Sequence, residues 1–204
     1  MESGPVLVIL AAGASSRLGE PKALVDLVGA SPMQRLFTAA SAACPEASLL
    51  VAGPDYQVIK SVAPVGLEIL EHELWSEGRT GSIRAAVRAR PGRDLLIAPV
   101  DVPLVPREVF ELMCREWKQR DAPSLGWLAP GIRRAGKVAH GHPVLLGREL
   151  AARLEDLGAD TPLRVLRDQA SPLWCAECTE ESILDDLDNP LDLKRIRDSL
   201  ALQR

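Results

Sequence analysis

Short apolar runs alternate with helical patterns along almost the whole sequence. This alternation predicts an α/β fold with a mostly parallel central sheet and helices on both faces, because parallel strands are joined by crossover connections that are usually helical. The predicted strands are Val6 to Ala11, Ser48 to Ala52, Leu67 to Leu70, Asp94 to Val100, Ser124 to Ala129, Val144 to Leu146, Ser171 to Cys175 and Ile183 to Leu187. The predicted helices are Met33 to Ala43, Gln57 to Ala63, Gly81 to Arg90, Arg107 to Arg120, Arg148 to Leu157 and Pro190 to Leu200. A length of 204 residues suits one such domain, and we predict a single domain over residues 1–204.

The end of the first strand has the composition of a phosphate-binding loop. Its apolar run gives way to Ala11, Ala12 and Gly13, small residues that let backbone N–H groups approach phosphate oxygens closely. Open α/β sheets bind their ligands at this carboxyl edge. Arg17 and Lys22 follow and supply two positive charges for a polyphosphate. A glycine-rich turn with two solvated cations is the alternative interpretation.

The spacing of the glycines excludes two common phosphate-binding motifs in this loop. Gly19 lies six residues after Gly13 and is followed by Glu20, so the P-loop pattern G-x-x-x-x-G-K-[ST] is absent. The dinucleotide pattern G-x-G-x-x-G fails as well, because Gly13 is followed by Ala14 and Ser15.

The loop instead resembles the signature L-[AG]-[AG]-G-x-S-x-R-[ML]-G-x-x-K of the MobA-like NTP transferase family. The matching residues are Leu10, Ala11, Ala12, Gly13, Ser15, Arg17, Leu18, Gly19 and Lys22. This resemblance implies a three-layer α/β/α, Rossmann-like fold of the nucleotide-diphospho-sugar transferase type and a pyrophosphate-releasing nucleotidyltransferase activity. It also implies nucleotide contacts from Leu10, Ala11, Ala12, Gly13 and Lys22, and catalytic roles for Arg17 and Lys22.

Two strand-to-loop corners carry carboxylates that suit a metal ion. Asp101 ends a buried strand, and Mg²⁺ is usually held by one or two carboxylates and substrate phosphates, so Asp101 is our first metal-ligand and catalytic candidate. A turn or helix-cap role is the alternative. The segment around Asp188 and Pro190 resembles the family's D-x-D-[TN]-P-x-D-[LFY] tail, which implies that Asp188 is the second Mg²⁺ ligand. We interpret Asp192 as a cap of the last helix and Asp186 as a solvated carboxylate.

A glycine-punctuated loop at residues 77–83 leads into a predicted helix, a geometry that can present N–H groups to a nucleotide. It resembles the family's G-x-x-x-S-[IL] segment, which implies that Ser82 binds the nucleotide and makes Arg79 a further candidate. A helix start capped by Thr80 or Ser82 is the alternative.

The Gly-His-Pro triplet at residues 141–143 is similar to that of molybdenum-cofactor cytidylyltransferases, where it lies in a strand near the acceptor site. The resemblance implies that His142 binds the acceptor. A zinc site at His140 and His142 would need further ligands, and the third histidine of the chain is the distant His72.

The composition argues against several other classes of protein. A net charge of −4 and few aromatic residues argue against a nucleic-acid partner. No run of 18 apolar residues and no basic leader is visible, so we expect a cytoplasmic protein without membrane contact. Cys175 and Cys178 form a C-x-x-C pair without further ligands at matching spacing, and we predict that they are ordinary reduced cysteines.

These features together favour transfer of a nucleoside monophosphate from an NTP to a phosphorylated small-molecule acceptor with Mg²⁺. The family's guanylyltransferases usually carry Gly where this chain has Ala12, so CTP is favoured. The acceptor is predicted to be a molybdopterin-type cofactor, with a cofactor-delivery protein as a candidate partner. The alternatives are a guanylyltransferase, methylerythritol phosphate or a sugar phosphate as acceptor, a non-catalytic nucleotide-binding cofactor partner, and an NDP-sugar glycosyltransferase. The segment from Gly29 to Pro32 departs from the family's G-x-P-[LM]-[LI] pattern.

Overall fold

The computed structural model describes residues 4–43 and 47–202. Its strands within these ranges are β1 (Val6–Ala11), β2 (Ala47–Ala52), β3 (Leu67–Glu71), β4 (Leu95–Pro99), β5 (Trp127–Arg134), β6 (Lys137–His140), β7 (Val144–Leu146) and β8 (Leu173–Glu177). Its α-helices there are α1 (Pro32–Ser41), α2 (Tyr56–Ser61), α3 (Arg79–Ala89), α4 (Arg107–Gln119), α5 (Arg148–Ala152) and α6 (Pro190–Ala201). Short 3₁₀ helices occupy Trp75–Glu77, Arg153–Asp156, Leu163–Gln169 and Glu181–Leu184.

The first half of the sheet is parallel, as the alternation of strands and helices predicts. β1 pairs with β2 on one side and with β4 on the other, and β3 continues beyond β2. The chain therefore moves outward from β1 to β3 and returns to the opposite side of β1 with β4. Such a reversal of strand order opens a crevice at the carboxyl ends of the strands. The loops after β1 and β4 meet at this crevice.

The second half of the sheet is mainly antiparallel. β7 runs antiparallel to β4, and β5 runs antiparallel to both β7 and β6, whereas β8 pairs parallel to β5. The strands β1 to β4 at the core of the sheet are therefore parallel, and most of the other pairings are antiparallel.

The core is divided between the two faces of the sheet, which gives the three predicted layers. One cluster packs α1 and α4 against the sheet through Leu36, Phe110 and Met113. The other cluster joins α3 and α5 to the opposite face through Ile83 and Leu150. β1 and β4 are buried on both faces, which explains their continuous apolar sequence.

Several predicted elements are wrong or shifted. The strand predicted over Ile183–Leu187 is absent, and the 3₁₀ helix Glu181–Leu184 replaces its first half. A strand would have put Asp185 on the same face as Ile183 and Leu187, both of which are fully buried, and the turn avoids this conflict. β5 begins at Trp127 instead of Ser124, and β6 was not predicted.

The cysteines follow the prediction in part. Cys175 and Cys178 are free thiols, and burial raises the pKa of Cys175. Cys114 takes part in a disulfide, which the sequence analysis did not predict. Cys44 lies outside the described residues.

Asp94 is a buried carboxylate at the start of β4 that fastens the two faces of the sheet together. It accepts hydrogen bonds from the indole N–H of Trp117 at 2.9 Å and from the backbone N–H of Arg148 at 2.8 Å. Replacing Asp94 with Ala is expected to lower the free energy of unfolding by about 2–3 kcal/mol, because the buried indole N–H of Trp117 and the partly buried backbone N–H of Arg148 both lose a charged acceptor. Urea denaturation measures the change. Asp168→Ala at an exposed carboxylate is the matched control and is expected to shift stability by under about 0.5 kcal/mol; equal losses in the two variants would contradict the account.

Candidate active site

The carboxyl ends of β1 and β4 form the floor of a cavity of about 330 Å³. The backbone N–H of Val100 donates to the carbonyl of Leu10 at 3.1 Å, so the loops that follow the two strands start side by side. Nine residues proposed from the sequence line this cavity, namely Leu10, Ala11, Ala12, Gly13, Arg17, Lys22, Ser82, Asp101 and Asp188. Contacts between parts of the chain up to 166 residues apart therefore create the site.

The loop after β1 is held in shape by Ser15. Its hydroxyl accepts the backbone N–H of Lys22 at 2.8 Å, and its carbonyl accepts the N–H of Leu18 at 3.0 Å. A Cβ added at Gly13 would meet nothing within 4 Å, so packing inside the described protein does not explain a glycine there. A Cβ would instead narrow the space left for a ligand.

Lys22 and Asp188 form an ion pair across the cavity. The Lys22 Nζ to Asp188 Oδ1 distance is 3.0 Å, and the Lys22 side chain is only 16% exposed. The hydrogen bond from Lys22 lowers the pKa of Asp188 below its usual value, and Arg17 and Arg79 add to this effect. Arg17 is exposed and has no hydrogen-bond or ion-pair partner in the part of the chain that the structure describes.

Helix α6 fixes the position of Asp188. Asn189 is its N-cap, and its side chain accepts the N–H groups of Leu191 and Asp192. In return, the Asp192 carboxylate accepts the backbone N–H groups of Asp188 and Asn189, so Asp192 caps the helix as predicted. The N–H of Leu187 also donates to the carbonyl of Asp101 at 2.7 Å. These bonds hold the two candidate metal ligands at one corner.

Only one of the two carboxylate oxygens of Asp101 has a hydrogen-bond partner among the described residues. Arg79 donates to Oδ2 at 2.8 Å, whereas Oδ1 is buried and finds no hydrogen-bond partner within residues 4–43 and 47–202. An unpartnered buried carboxylate oxygen is costly unless it binds a proton donor or a cation. The donor set fits a hard divalent cation that completes its shell with substrate phosphates.

A complete metal site made from protein ligands alone is absent from the part of the chain that the structure describes. The described residues contain no group of three or more His, Cys, Asp or Glu side chains arranged to hold a metal. Asp186 is exposed, and partial desolvation together with the charges of Asp101 and Asp188 raises its pKa. A cation held by Asp101 and Asp188 would therefore need further oxygen ligands from a substrate.

Ser82 lies in the first turns of α3, where its side chain is 3% exposed. Gly78 is the N-cap of this helix and no side chain caps it, so the alternative of a cap by Thr80 or Ser82 is wrong. Thr80 instead donates to the carbonyl of Thr161. The hydroxyl of Ser82 has no hydrogen bond within the described residues, and Ser82 lines the first cavity.

His142 lines a second cavity that adjoins the first, rather than the first cavity itself. It lies in the loop between β6 and β7 and precedes a cis peptide bond to Pro143, so the expected strand position is wrong. Proline and the tight loop end the pairing of β6 at His140. Burial has the largest effect on the pKa of His142 and lowers it. The charge of Asp101 acts to raise this pKa, and the charge of Arg79 acts to lower it. Asp101 and Arg79 therefore lie close to the imidazole.

Arg79 was a candidate from the sequence, but its pairing with Asp101 was not predicted. It lines both cavities, and the pairing forms only where the start of α3 meets the loop after β4. Arg164 and Arg167 line the second cavity and carried no motif. No helix was predicted over these residues, so their spacing of three gave no usable signal in the sequence.

Comparison with known proteins identifies the family and the fold that this chain resembles. The model of the MobA-like NTP transferase domain matches residues 7–173. The chain is similar to the bifunctional protein GlmU of Ruegeria sp. (strain TM1040), with 30% identity over 139 residues, which is 65% of this chain and 31% of that protein. The chain thus spans between a quarter and a third of the curated relatives it matches.

Three solved structures share the fold. The molybdopterin-guanine dinucleotide biosynthesis protein A of Archaeoglobus fulgidus has a TM-score of 0.72 and 18% identity, over 97% of this chain and 99% of that one. Rv0371c of Mycobacterium tuberculosis in complex with manganese has a TM-score of 0.72 and 20% identity, over 97% and 100%. CMP:2-keto-3-deoxy-manno-octonic acid synthetase in complex with CTP has a TM-score of 0.79 and 18% identity, over 99% and 100%.

Proposed function

The chain is a nucleotidyltransferase of the MobA-like NTP transferase family, and from that premise we propose that it transfers a nucleoside monophosphate from an NTP to a phosphorylated acceptor. The observation that carries this proposal is the meeting of Lys22, Asp101 and Asp188 at one cavity beside a loop of small residues. A polyphosphate needs such positive charge and exposed backbone, and its metal needs the carboxylates.

The proposed reaction needs no covalent enzyme intermediate. An oxygen of the acceptor phosphate attacks the α-phosphorus of the NTP and forms a new P–O bond. The bond between the α-phosphorus and the bridging oxygen to the β-phosphorus breaks, and pyrophosphate leaves with the electron pair. The attacking phosphate is already ionised at neutral pH, so no side chain has to remove a proton. Catalysis then consists of positioning and charge stabilisation.

The chain's own residues divide these tasks. Arg17 and Lys22 stabilise the negative charge that grows on the departing pyrophosphate. Asp101 and Asp188 would hold Mg²⁺. The bound cation would neutralise phosphate charge and act as a Lewis acid. The manganese complex of the similar M. tuberculosis structure supports a divalent ion at this fold.

CTP is the proposed nucleotide. The methyl group of Ala12 narrows the loop relative to a glycine, which favours a pyrimidine over the larger purine, and the CTP complex of the similar synthetase supports this choice. We expect calorimetric titration to give tighter binding for CTP than for GTP. Ala12→Gly is expected to reduce that preference because it removes the methyl group. Tighter binding of GTP by the unchanged protein would overturn the choice of nucleotide and favour a guanylyltransferase.

A molybdopterin-type cofactor is the proposed acceptor, and methylerythritol phosphate and sugar phosphates are the competing ones. The Archaeoglobus neighbour, which is a molybdopterin-guanine dinucleotide biosynthesis protein, supports a molybdopterin. A cytoplasmic location, one domain over residues 1–204 and a cofactor-delivery partner stay predictions. Within the described ranges, no helix has the length and apolar character needed to cross a membrane.

Following the α-phosphate tests the reaction class. With CTP labelled at the α-phosphorus and molybdopterin as acceptor, the label is expected in a soluble cofactor adduct and absent from the denatured protein. Label that stays in CTP while the nucleotide binds tightly would favour a non-catalytic cofactor partner. Label on the protein would contradict direct transfer.

A further inference from the structure

The second cavity measures about 390 Å³ and shares Leu10, Arg79 and Pro99 with the nucleotide cavity. Its floor is apolar, because Ile97 and Trp127 contribute sheet residues to it. One end lies beside Arg79 and Asp101, where His142 is located. A molecule in this cavity would therefore lie next to a ligand in the first.

The 3₁₀ helix Leu163–Gln169 forms the other wall of this cavity. A 3₁₀ helix has three residues per turn, so residues three apart lie on the same face. Leu166 is fully buried in the core, while Arg164 and Arg167 share a neighbouring face and line the cavity. This segment places two guanidinium groups along one side of the cavity.

Neither arginine is neutralised within the described residues. Arg164 and Arg167 make no side-chain hydrogen bond or ion pair there, in contrast to Arg88, which pairs with Glu155. Asp160 is the carboxylate that lines the second cavity among the described residues, so positive charge is in excess.

The cavity also contains two histidines, one near Arg167 and one with an unpartnered ring nitrogen. His140 lies close enough to Arg167 for that charge to lower the pKa of His140 further, after burial, which has the larger effect. His142 Nδ1 is buried and has no hydrogen-bond partner in the described part of the chain. The unpartnered ring nitrogen of His142 at one end of the cavity and the unpaired arginines on its other wall indicate a site built for a polar ligand.

We propose that Arg164 and Arg167 bind a second anionic group of the acceptor. The inference rests on the proposed function, because it takes the second cavity as the acceptor site. It defines a substrate class: a molecule with a phosphate at the Arg79 end, an apolar or planar body on Ile97 and Trp127, and a second anionic group at the arginine pair. That group would be the ene-dithiolate in a molybdopterin and a carboxylate or phosphate in other acceptors. Acceptors with one phosphate and a neutral, polyhydroxylated body fit this site poorly.

Three matched probes test the second anion. Phenyl phosphate, 4-carboxyphenyl phosphate and 1,4-phenylene bisphosphate share one body and differ in their far group. Their affinities are measured by calorimetry with Mg²⁺ and saturating α,β-methylene-CTP, which blocks the nucleotide cavity. We expect at least one doubly anionic probe to bind about 10-fold more tightly than phenyl phosphate, as one charge-assisted contact allows. The tighter of the two identifies the far group as carboxylate or phosphate.

The double variant Arg164→Gln/Arg167→Gln is expected to lose this advantage and to keep its affinity for phenyl phosphate and for α,β-methylene-CTP. The single variant Arg164→Gln, at an exposed position, is expected to lose part of this affinity advantage. It keeps the inference testable if the double variant misfolds. Arg115→Gln, at an exposed position on α4 across the sheet, is the control and should keep the full advantage. Equal binding of all three probes by the unchanged protein, with the CTP analogue bound, overturns this inference and leaves the proposed function standing. Failure to bind the CTP analogue at all would instead contradict the proposed function.

Discussion

Lys22→Ala is expected to lower kcat by about 10²–10³-fold, because the variant loses the ammonium group that stabilises charge on the departing pyrophosphate. The loss should exceed that of Arg17→Ala, since Lys22 is largely buried and fixed by Asp188, whereas Arg17 is exposed. Lys22→Ala also removes the main cause of the lowered pKa of Asp188, so that pKa should rise towards its ordinary value. Steady-state kinetics with a pyrophosphate-coupled assay measures kcat.

Lys137→Ala is the matched control for this variant. Lys137 is an exposed lysine on β6 outside both cavities, so its removal should leave kcat unchanged within about twofold. Circular dichroism and urea denaturation of Lys22→Ala should show a folded protein. An unchanged kcat in folded Lys22→Ala would remove Lys22 from the mechanism.

Asp101→Asn is expected to lower kcat by about 10³-fold or more while the protein stays as stable or becomes more stable. Activity falls because the neutral amide is a poor Mg²⁺ ligand, and several kcal/mol of charge stabilisation are lost. Stability is maintained because Asp101 Oδ1 is a buried oxygen without a partner, and removing its charge relieves a desolvation penalty. A fall in kcat together with unchanged or higher stability would show that Asp101 serves the reaction at a cost in stability.

Three measurements test this variant together: kcat, the apparent Mg²⁺ constant, and the free energy of unfolding in urea. Asp198→Asn, at an exposed carboxylate on α6, serves as the comparison and should change none of them measurably. Full activity of Asp101→Asn at the same Mg²⁺ concentration would exclude Asp101 as a metal ligand. A large loss of stability would show that its carboxylate has a structural role.

The parts of the fold with a simple period were predictable from the sequence. β1 and β4 are buried on both faces, so their apolar runs could be recognised without knowledge of their neighbours. The start of α6 was equally clear, because Asn189 and Pro190 form a local cap signal. The small residues and cations after β1 then indicated the position of the first cavity.

Features that depend on distant contacts were not predictable. The pairing of Arg79 with Asp101 joins residues from different elements, and no local pattern encodes it. The turn at Glu181–Leu184 was mistaken for a strand because burial of Ile183 and Leu187 gave a false alternation. Arg164 and Arg167 could be recognised as neighbours only once their segment was known to be a 3₁₀ helix.

The most direct test of the central claim is release of pyrophosphate from CTP, GTP, ATP and UTP, each offered with molybdopterin, methylerythritol phosphate and common sugar phosphates. The account predicts release that needs both Mg²⁺ and a phosphorylated acceptor, is stopped by EDTA, and is fastest with CTP and molybdopterin. If a folded protein that still binds an NTP tightly released no pyrophosphate with any of these combinations, the assignment of this site to nucleotidyl transfer would be contradicted.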